Sequence, residues 1–182
     1  MSNDEVKSLR GQLLISAPKL RDPNFVETVV LMVKHDEDGA IGLVLNRRLD
    51  ITVAEATSDV NYQFPEDLPL FKGGPCDGPL MVLHDGSDNG ELVIPGVRFA
   101  TMASEVLEAV QFSDQSKCFA GYSGWSPGQL EKEMEAEAWL LVSATAPFVF
   151  DDEAGLYDKL LTQISLKPWV EPENLPDDPS LN

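Results

Sequence analysis

The sequence is poor in basic residues. Thirteen lysines and arginines stand against 31 aspartates and glutamates in 182 residues, so the formal net charge at pH 7 is −18. Such a chain repels phosphate backbones and anionic membranes unless it gathers its cations into a local patch. The only two basic residues that are adjacent in the sequence are Arg47 and Arg48. Direct binding to nucleic acid or to an anionic membrane is therefore disfavoured.

Cysteine and histidine are also scarce. The two cysteines, Cys76 and Cys118, lie far apart, and the two histidines, His35 and His84, complete no zinc-ligand spacing. We therefore expect free thiols without a disulfide, no metal site and no cofactor.

Long apolar runs are absent. No stretch approaches the roughly 20 apolar residues of a membrane-spanning helix. The first ten residues are polar and lack the apolar region of a signal peptide. These absences predict a soluble protein of the cytoplasm.

Short apolar segments separated by polar turns occupy most of the chain. Strand-like and helix-like patterns alternate irregularly between residues 11 and 166, which favours one α+β domain over a doubly wound sheet. Residues 1–10 are predicted to be flexible. Residues 167–182 are rich in proline and acid, and they predict a disordered tail.

The segment from Cys118 to Glu131 predicts a strand, a tight turn and a helix. Ser126 is a favoured N-cap residue, Pro127 suits the first helical position, and Gln129 completes a capping box. Trp125 would then lie on the turn.

The same turn matches the G-x-S-x-G pattern of a hydrolase nucleophile elbow at residues 124–128. Pro127 lacks the backbone N–H that an elbow places in its oxyanion hole, and no histidine follows His84 to serve as the base. We therefore assign Ser126 to the helix cap and predict no catalytic residue.

Several motifs together resemble one family. The run Gly-Tyr-Ser-Gly-Trp-Ser-Pro-Gly-Gln-Leu-Glu at 121–131 resembles the hallmark of the bacterial AlgH/YqgE family, and segments at 11–18, 39–47, 73–75 and 83–84 resemble its other motifs in order. The resemblance covers roughly residues 11 to 165. It implies a bifurcated, partly barrel-like sheet surrounded by helices, and a link with transcriptional regulation.

Four short motifs are candidates for binding. Asn46 and Arg47 are either a small basic site or charges in solvent after a strand, and Gly73, Gly74 and Pro75 are either a backbone anion cradle or a turn that needs glycine. His84 is either an acid–base or ligand histidine or a structural one. Gly124 and Trp125 are either a partner-contacting anchor or a hydrophobic plug over the helix.

The sequence favours a non-enzymatic interaction protein with an unknown protein partner, and the family resemblance implies that it acts on regulation through that partner. The alternative is an enzyme or small-ligand binder with a polar pocket around His84, Asn46 and the glycine turns. Direct nucleic-acid binding is a second alternative. A concave pocket that unites those residues would favour the first alternative, and their separation would not.

Overall fold

The computed structural model describes residues 7–86 and 88–166. The expected tail at 167–182 lies outside them, as do residues 1–6. Among the described residues, no helix is both long enough and apolar enough to cross a membrane. The strands are β1 (Gln12–Ser16), β2 (Val29–Asp36), β3 (Gly39–Val44), β4 (Arg48–Thr52), β5 (Pro69–Lys72), β6 (Cys76–His84), β7 (Glu91–Ile94), β8 (Val97–Ala100), β9 (Ser116–Trp125) and β10 (Trp139–Ser143). The helices are α1 (Val53–Ala56), α2 (Ala103–Phe112), α3 (Gln129–Glu135), α4 (Ala146–Val149) and α5 (Leu156–Leu166).

Strand β9 is the point at which the sheet divides. The sheet runs in the order β10-β1-β2-β3-β9-β6-β8-β7, and β4 joins it through β5. Residues 118–120 of β9 pair in parallel with β5, whereas residues 123–125 pair antiparallel with β3. One edge of a single strand therefore serves two different neighbours in succession. The predicted α+β class and the bifurcated, partly barrel-like sheet are confirmed.

Strand β2 shows why the central strands read as continuous apolar runs. Val29, Leu31 and Val33 pack into the cluster that α4 and α5 cover. Val30 and Met32 point to the opposite face, into the cluster that α3 covers. Both faces of the strand are buried, so the sequence has no polar alternation there.

Two local predictions are confirmed. In the sequence, two apolar runs flank the turn residues Asp36 to Gly39, which predicts a hairpin, and it forms between β2 and β3 with Asp36 opposite Gly39. Thr52 with Glu55 three residues later predicts a capping box, and it forms at the start of α1, each side chain bonding the other residue's backbone N–H.

The predicted role of Ser126 is wrong. Helix α3 begins at Gln129, with Gly128 as its N-cap residue. The Gln129 side chain accepts from the Ser126 N–H at 3.0 Å, as in the predicted capping box, but within the described residues the Ser126 hydroxyl bonds no helix N–H. The Ser126 carbonyl accepts from the Gln129 N–H at 3.0 Å, and Gly128 has φ 72° and ψ 0°. Pro127 and this left-handed glycine occupy the central positions of a type II turn. Strand β9 extends up to that turn and includes Trp125, which is therefore a strand residue.

Residues 8–10, part of the segment expected to be flexible, are bonded to β2. The Ser8 hydroxyl donates to the His35 carbonyl at 2.9 Å, and the Leu9 N–H donates to His35 Nδ1 at 2.9 Å. In the neutral ring, this contact leaves the proton on Nε2, which donates to Glu131 at 2.8 Å. His35 thus ties the amino-terminal segment and α3 to β2.

The Cys118 thiol should react only when the protein unfolds. Cys118 is fully buried in β9, and burial raises its pKa to about 12. About one ten-thousandth of such a thiol is thiolate at pH 8. In a Cys76→Ser background, we expect a disulfide reagent to modify Cys118 only in denaturant. Rapid labelling of the native protein would contradict this expectation, and Cys118→Ser provides the control for the half-buried Cys76.

Candidate functional site

The Asn46 side chain bonds the protein's own backbone through both ends of its amide. Its Oδ1 accepts from the Val29 N–H at 2.9 Å, and its Nδ2 donates to the Glu27 carbonyl at 2.9 Å. Glu27 has φ 53°, an uncommon conformation for a residue other than glycine. Asn46 therefore stabilises an unusual backbone turn at the entry to β2.

Arg47 contacts the same loop. Its guanidinium donates to the Val26 carbonyl at 2.9 Å and to the Pro23 carbonyl at 3.5 Å. Arg47 is half-buried. Arg48 is exposed, and its guanidinium nitrogen lies 3.6 Å from a carboxylate oxygen of Glu153. The charge predicted to form a small basic site thus caps backbone carbonyls of residues 23–26.

The glycine pair Gly73-Gly74 lies where β5 leaves β9. The Gly73 N–H donates to Ala120 O at 3.0 Å, and its carbonyl accepts from the Val44 N–H at 2.9 Å and from the Ser123 hydroxyl at 3.1 Å. Gly74 packs directly against the backbone of Tyr122. The Gly73 groups predicted to bind an anion are therefore used within the sheet, and Pro75 continues from them towards β6.

Gly124 and Trp125 lead into a buried aromatic cluster. Trp125 is 5% exposed and Trp139 is 3% exposed, and their ring centroids lie 6.2 Å apart in an edge-on arrangement with Phe25 beside both. A single carboxylate oxygen, Oε2 of Glu133, accepts from the indole N–H of Trp125 at 2.9 Å and of Trp139 at 2.8 Å. This arrangement corresponds to the hydrophobic-plug alternative for Trp125.

His84 lies at the far end of β6 and is 1% exposed. Its Nδ1 lies 3.2 Å from the Ser113 hydroxyl, and its buried Nε2 has no hydrogen-bond partner among the described residues. A small cavity beside it is also lined by Asn89, Glu108 and Phe112. Burial lowers the pKa of His84, and the nearby Asn89 backbone offsets only part of that effect. The imidazole is therefore neutral at pH 7.

This lowered pKa predicts a pH-dependent loss of stability. At pH 7.5, well above the ordinary histidine pKa of about 6.5, the ring is almost entirely neutral in both the native and the unfolded chain, so it causes no loss. Below that pH, the unfolded chain binds the proton more readily, and acid favours unfolding until the pH passes the native pKa. We expect the free energy of unfolding of wild type, minus that of His84→Gln, to fall from pH 7.5 to pH 5, because only the wild type carries the titrating ring. Parallel pH profiles in urea titrations would contradict the prediction.

The predicted site residues do not unite in one pocket of the described structure. Asn46-Arg47 and Gly73-Gly74 adjoin, because the Lys72 N–H donates to the Arg47 carbonyl at 2.8 Å. Strand β6 begins at Cys76, just after the glycine pair, and ends at His84. The length of this strand separates His84 from the glycine pair by roughly 25 Å. Within the described ranges, no group of three or more potential ligands among histidine, cysteine and acidic residues is placed to hold a metal ion.

Two hollows that the sequence interpretation missed lie between α2 and the segment at 57–65. One has a volume of about 180 Å³ and is walled mostly by apolar groups, including Val60, Tyr62, Phe64 and Val106. The other, of about 380 Å³, is lined by Phe64 again together with Leu107, Val110 and neighbouring residues. The composition of residues 59–69 predicts a polar connection between elements, and the alternation of apolar residues at 60, 62 and 64 within it was the available signal.

The comparisons with known proteins agree on one family and one fold. A family model described as DUF179, AlgH-like, matches residues 13–169. A UPF0301 protein of Ralstonia nicotianae is 38% identical over 160 residues, covering 82% of this chain and 84% of that protein. Another, of Chlorobaculum tepidum, is 39% identical over 152 residues, covering 79% of each.

Solved structures extend the similarity to the fold. The solution structure of the AlgH protein from Pseudomonas aeruginosa superposes with a TM-score of 0.72 and 28% identity, covering 94% of each chain. A crystal structure of a protein from Corynebacterium diphtheriae has the same TM-score at 21% identity, covering 84% of this chain and 85% of that one. The second similarity concerns the fold alone.

Proposed function

This chain belongs to the AlgH-like family, and we propose that it is a non-enzymatic interaction protein of the cytoplasm. In this proposal it acts on regulation through a protein partner and does not itself read nucleic acid. The main support is the way in which the fold uses the residues that were candidates for chemistry.

Those residues are committed to the structure. Both amide atoms of Asn46 bond backbone groups, and the backbone of Gly73 is hydrogen bonded within the sheet. Glu133 is bonded to two indoles, and Trp125 is buried. An active site needs polar groups that converge on a space where a substrate fits. The separation of His84 from the other motifs argues against such a site.

His84 supports one alternative, a small-ligand binder. Its buried Nε2, which has no hydrogen-bond partner within residues 7–86 and 88–166, adjoins a cavity of only about 10 Å³, so a compact polar ligand would have to open space beside the neutral imidazole. Thermal-shift screening of wild type against His84→Gln tests it, since a genuine ligand would raise the Tm of wild type alone. Nucleic-acid binding, the other alternative, is opposed by the net charge of −18.

The proposal is tested by capture from native lysate at physiological salt, with and without nuclease. We expect a protein to be retained in both conditions and to bind again when each component has been purified separately. Retention that disappears with nuclease would overturn the proposal in favour of nucleic-acid binding. An empty capture would overturn it in favour of a small ligand.

A further inference from the structure

We propose that the groove between α2 and residues 57–65 is the docking site for a basic, amphipathic helix of a protein partner. This inference rests on the proposed function and identifies the surface and the partner chemistry that carry it out. Geometry, exposed apolar area and charge each support it.

The spacing of the two hollows fits a helix. Along α2, Ala103 and Val106 border the first hollow, and Leu107 and Val110 border the second. Residues four apart on a helix lie about 6 Å apart along its axis. A partner helix presents apolar side chains at positions i and i+4 with the same spacing, one above the other. Two such side chains would enter the two hollows on either side of Phe64, as in other helix-in-groove complexes.

The groove is bordered by exposed apolar side chains. Val60 and Tyr62 are each 47% exposed on one wall. Leu107 and Val110, on the facing side of α2, are partly exposed where they line the second hollow. A docked helix would remove this surface from water, and burial of apolar area favours association.

Charge selects a basic partner. Residues 57–65 and α2 contain three acidic residues and no lysine or arginine, and two more acidic residues follow directly after Pro65. The acidic residues are Asp59, Glu105 and Glu108, followed by Glu66 and Asp67. Complementary charge speeds association and excludes partners of the wrong sign. Lysines and arginines flanking the apolar stripe of the partner helix would meet this acidic rim.

The test uses the full chain and three synthetic helical peptides of equal length. One has an apolar stripe flanked by lysine and arginine, the second has the same composition with the stripe scrambled, and the third has the stripe flanked by glutamate. Binding is measured by calorimetry, and the site is mapped by amide chemical shifts. We expect only the first peptide to bind, with shifts in α2 and residues 57–65, and more weakly at higher salt.

Variants separate this surface from any other acidic region. In Val60→Asp/Tyr62→Asp, which changes two exposed residues that line the first hollow, we expect the first peptide to bind at least about tenfold more weakly, a loss of 1.4 kcal/mol or more. Val26→Asp, at a position 44% exposed outside the groove, should stay within about twofold of wild type. Thermal unfolding confirms that each variant is folded.

The remaining outcomes overturn the inference. Equal binding of the basic and acidic peptides would refute the charge selection. Unchanged affinity in the double variant, or shifts confined to other elements, would refute the groove. Binding of none of the peptides would refute the docking site. If lysate capture still retains the same protein on the double variant, the proposed function stands and only the surface assigned here is wrong.

Discussion

Replacing Glu133 by alanine is expected to lower the free energy of unfolding by about 2 to 4 kcal/mol. The change removes the single acceptor of two indole N–H groups, on Trp125 and Trp139, both almost fully buried. A buried donor left without a partner costs about 1 to 3 kcal/mol. Two such donors would cost about 6 kcal/mol at most. Glu133 itself is only half-buried, so water can reach part of the vacated space, and the expected loss of stability is smaller than that maximum. Urea unfolding at pH 7 measures the change.

Two variants separate the hydrogen bonds from the charge and from helix propensity. Glu133→Gln keeps one acceptor oxygen but loses the charge, so its loss should be intermediate. Glu135→Ala alters an exposed carboxylate on the same helix, and it should stay within about 0.5 kcal/mol of wild type. An alanine variant at Glu133 as stable as the Glu135 variant would show that the paired indole contacts do not stabilise the fold.

The Glu133 contact illustrates what the sequence could not predict. The spacing of Leu130 and Met134 predicts that these residues form the buried side of the helix and that its acidic residues mostly face water. The carboxylate of Glu133 instead points inward, because β9 and β10, which flank α3 in the chain, each bring a tryptophan to its tip. Within the sheet, β1, β2 and β3 lie between these two strands. The approach of the two indoles therefore depends on how the whole sheet curls, which the pattern of residues 125–139 does not encode.

Local features were predicted well because their causes are local. The hairpin at Asp36–Gly39 and the Thr52 capping box depend on residues within a few positions of each other. The Ser126 prediction failed at the same scale. Serine, proline and glycine in succession suit both a helix start and a type II turn, and the left-handed conformation of Gly128 decides for the turn.

The candidate site was predicted only in part. The sequence marked Asn46 and Gly73 as special positions, and the structure places them side by side where the sheet divides. The sequence could not show that the polar groups of these two residues bond the backbone, since the backbone partners come from β2, β3 and β9 and the residues beside them. The groove beside α2 was missed because its walls lie about 40 residues apart in sequence.

Replacing Gly73 by alanine is expected to destabilise the protein by about 3 kcal/mol or more. A β-carbon at this position would overlap the carbonyl oxygen of Gly121 and press on a methyl group of Leu43. The obstacle is mainly backbone, on the strand where the sheet divides, so it cannot move aside as a flexible side chain would. Overpacking of a closely packed interior costs about 1 to 3 kcal/mol, and more when the backbone must shift.

A matched glycine separates lack of space from backbone strain. Gly155 has φ 81° and open space around its position, so Gly155→Ala should cost only about 1 kcal/mol, from the left-handed conformation. Gly73 lies outside the left-handed region, so its larger loss would come from the close approach of β5 to β9. Urea unfolding of both variants gives the comparison. If Gly73→Ala proved no less stable than Gly155→Ala, the approach would not need glycine, and a ligand-binding role for the Gly73-Gly74 backbone would regain support.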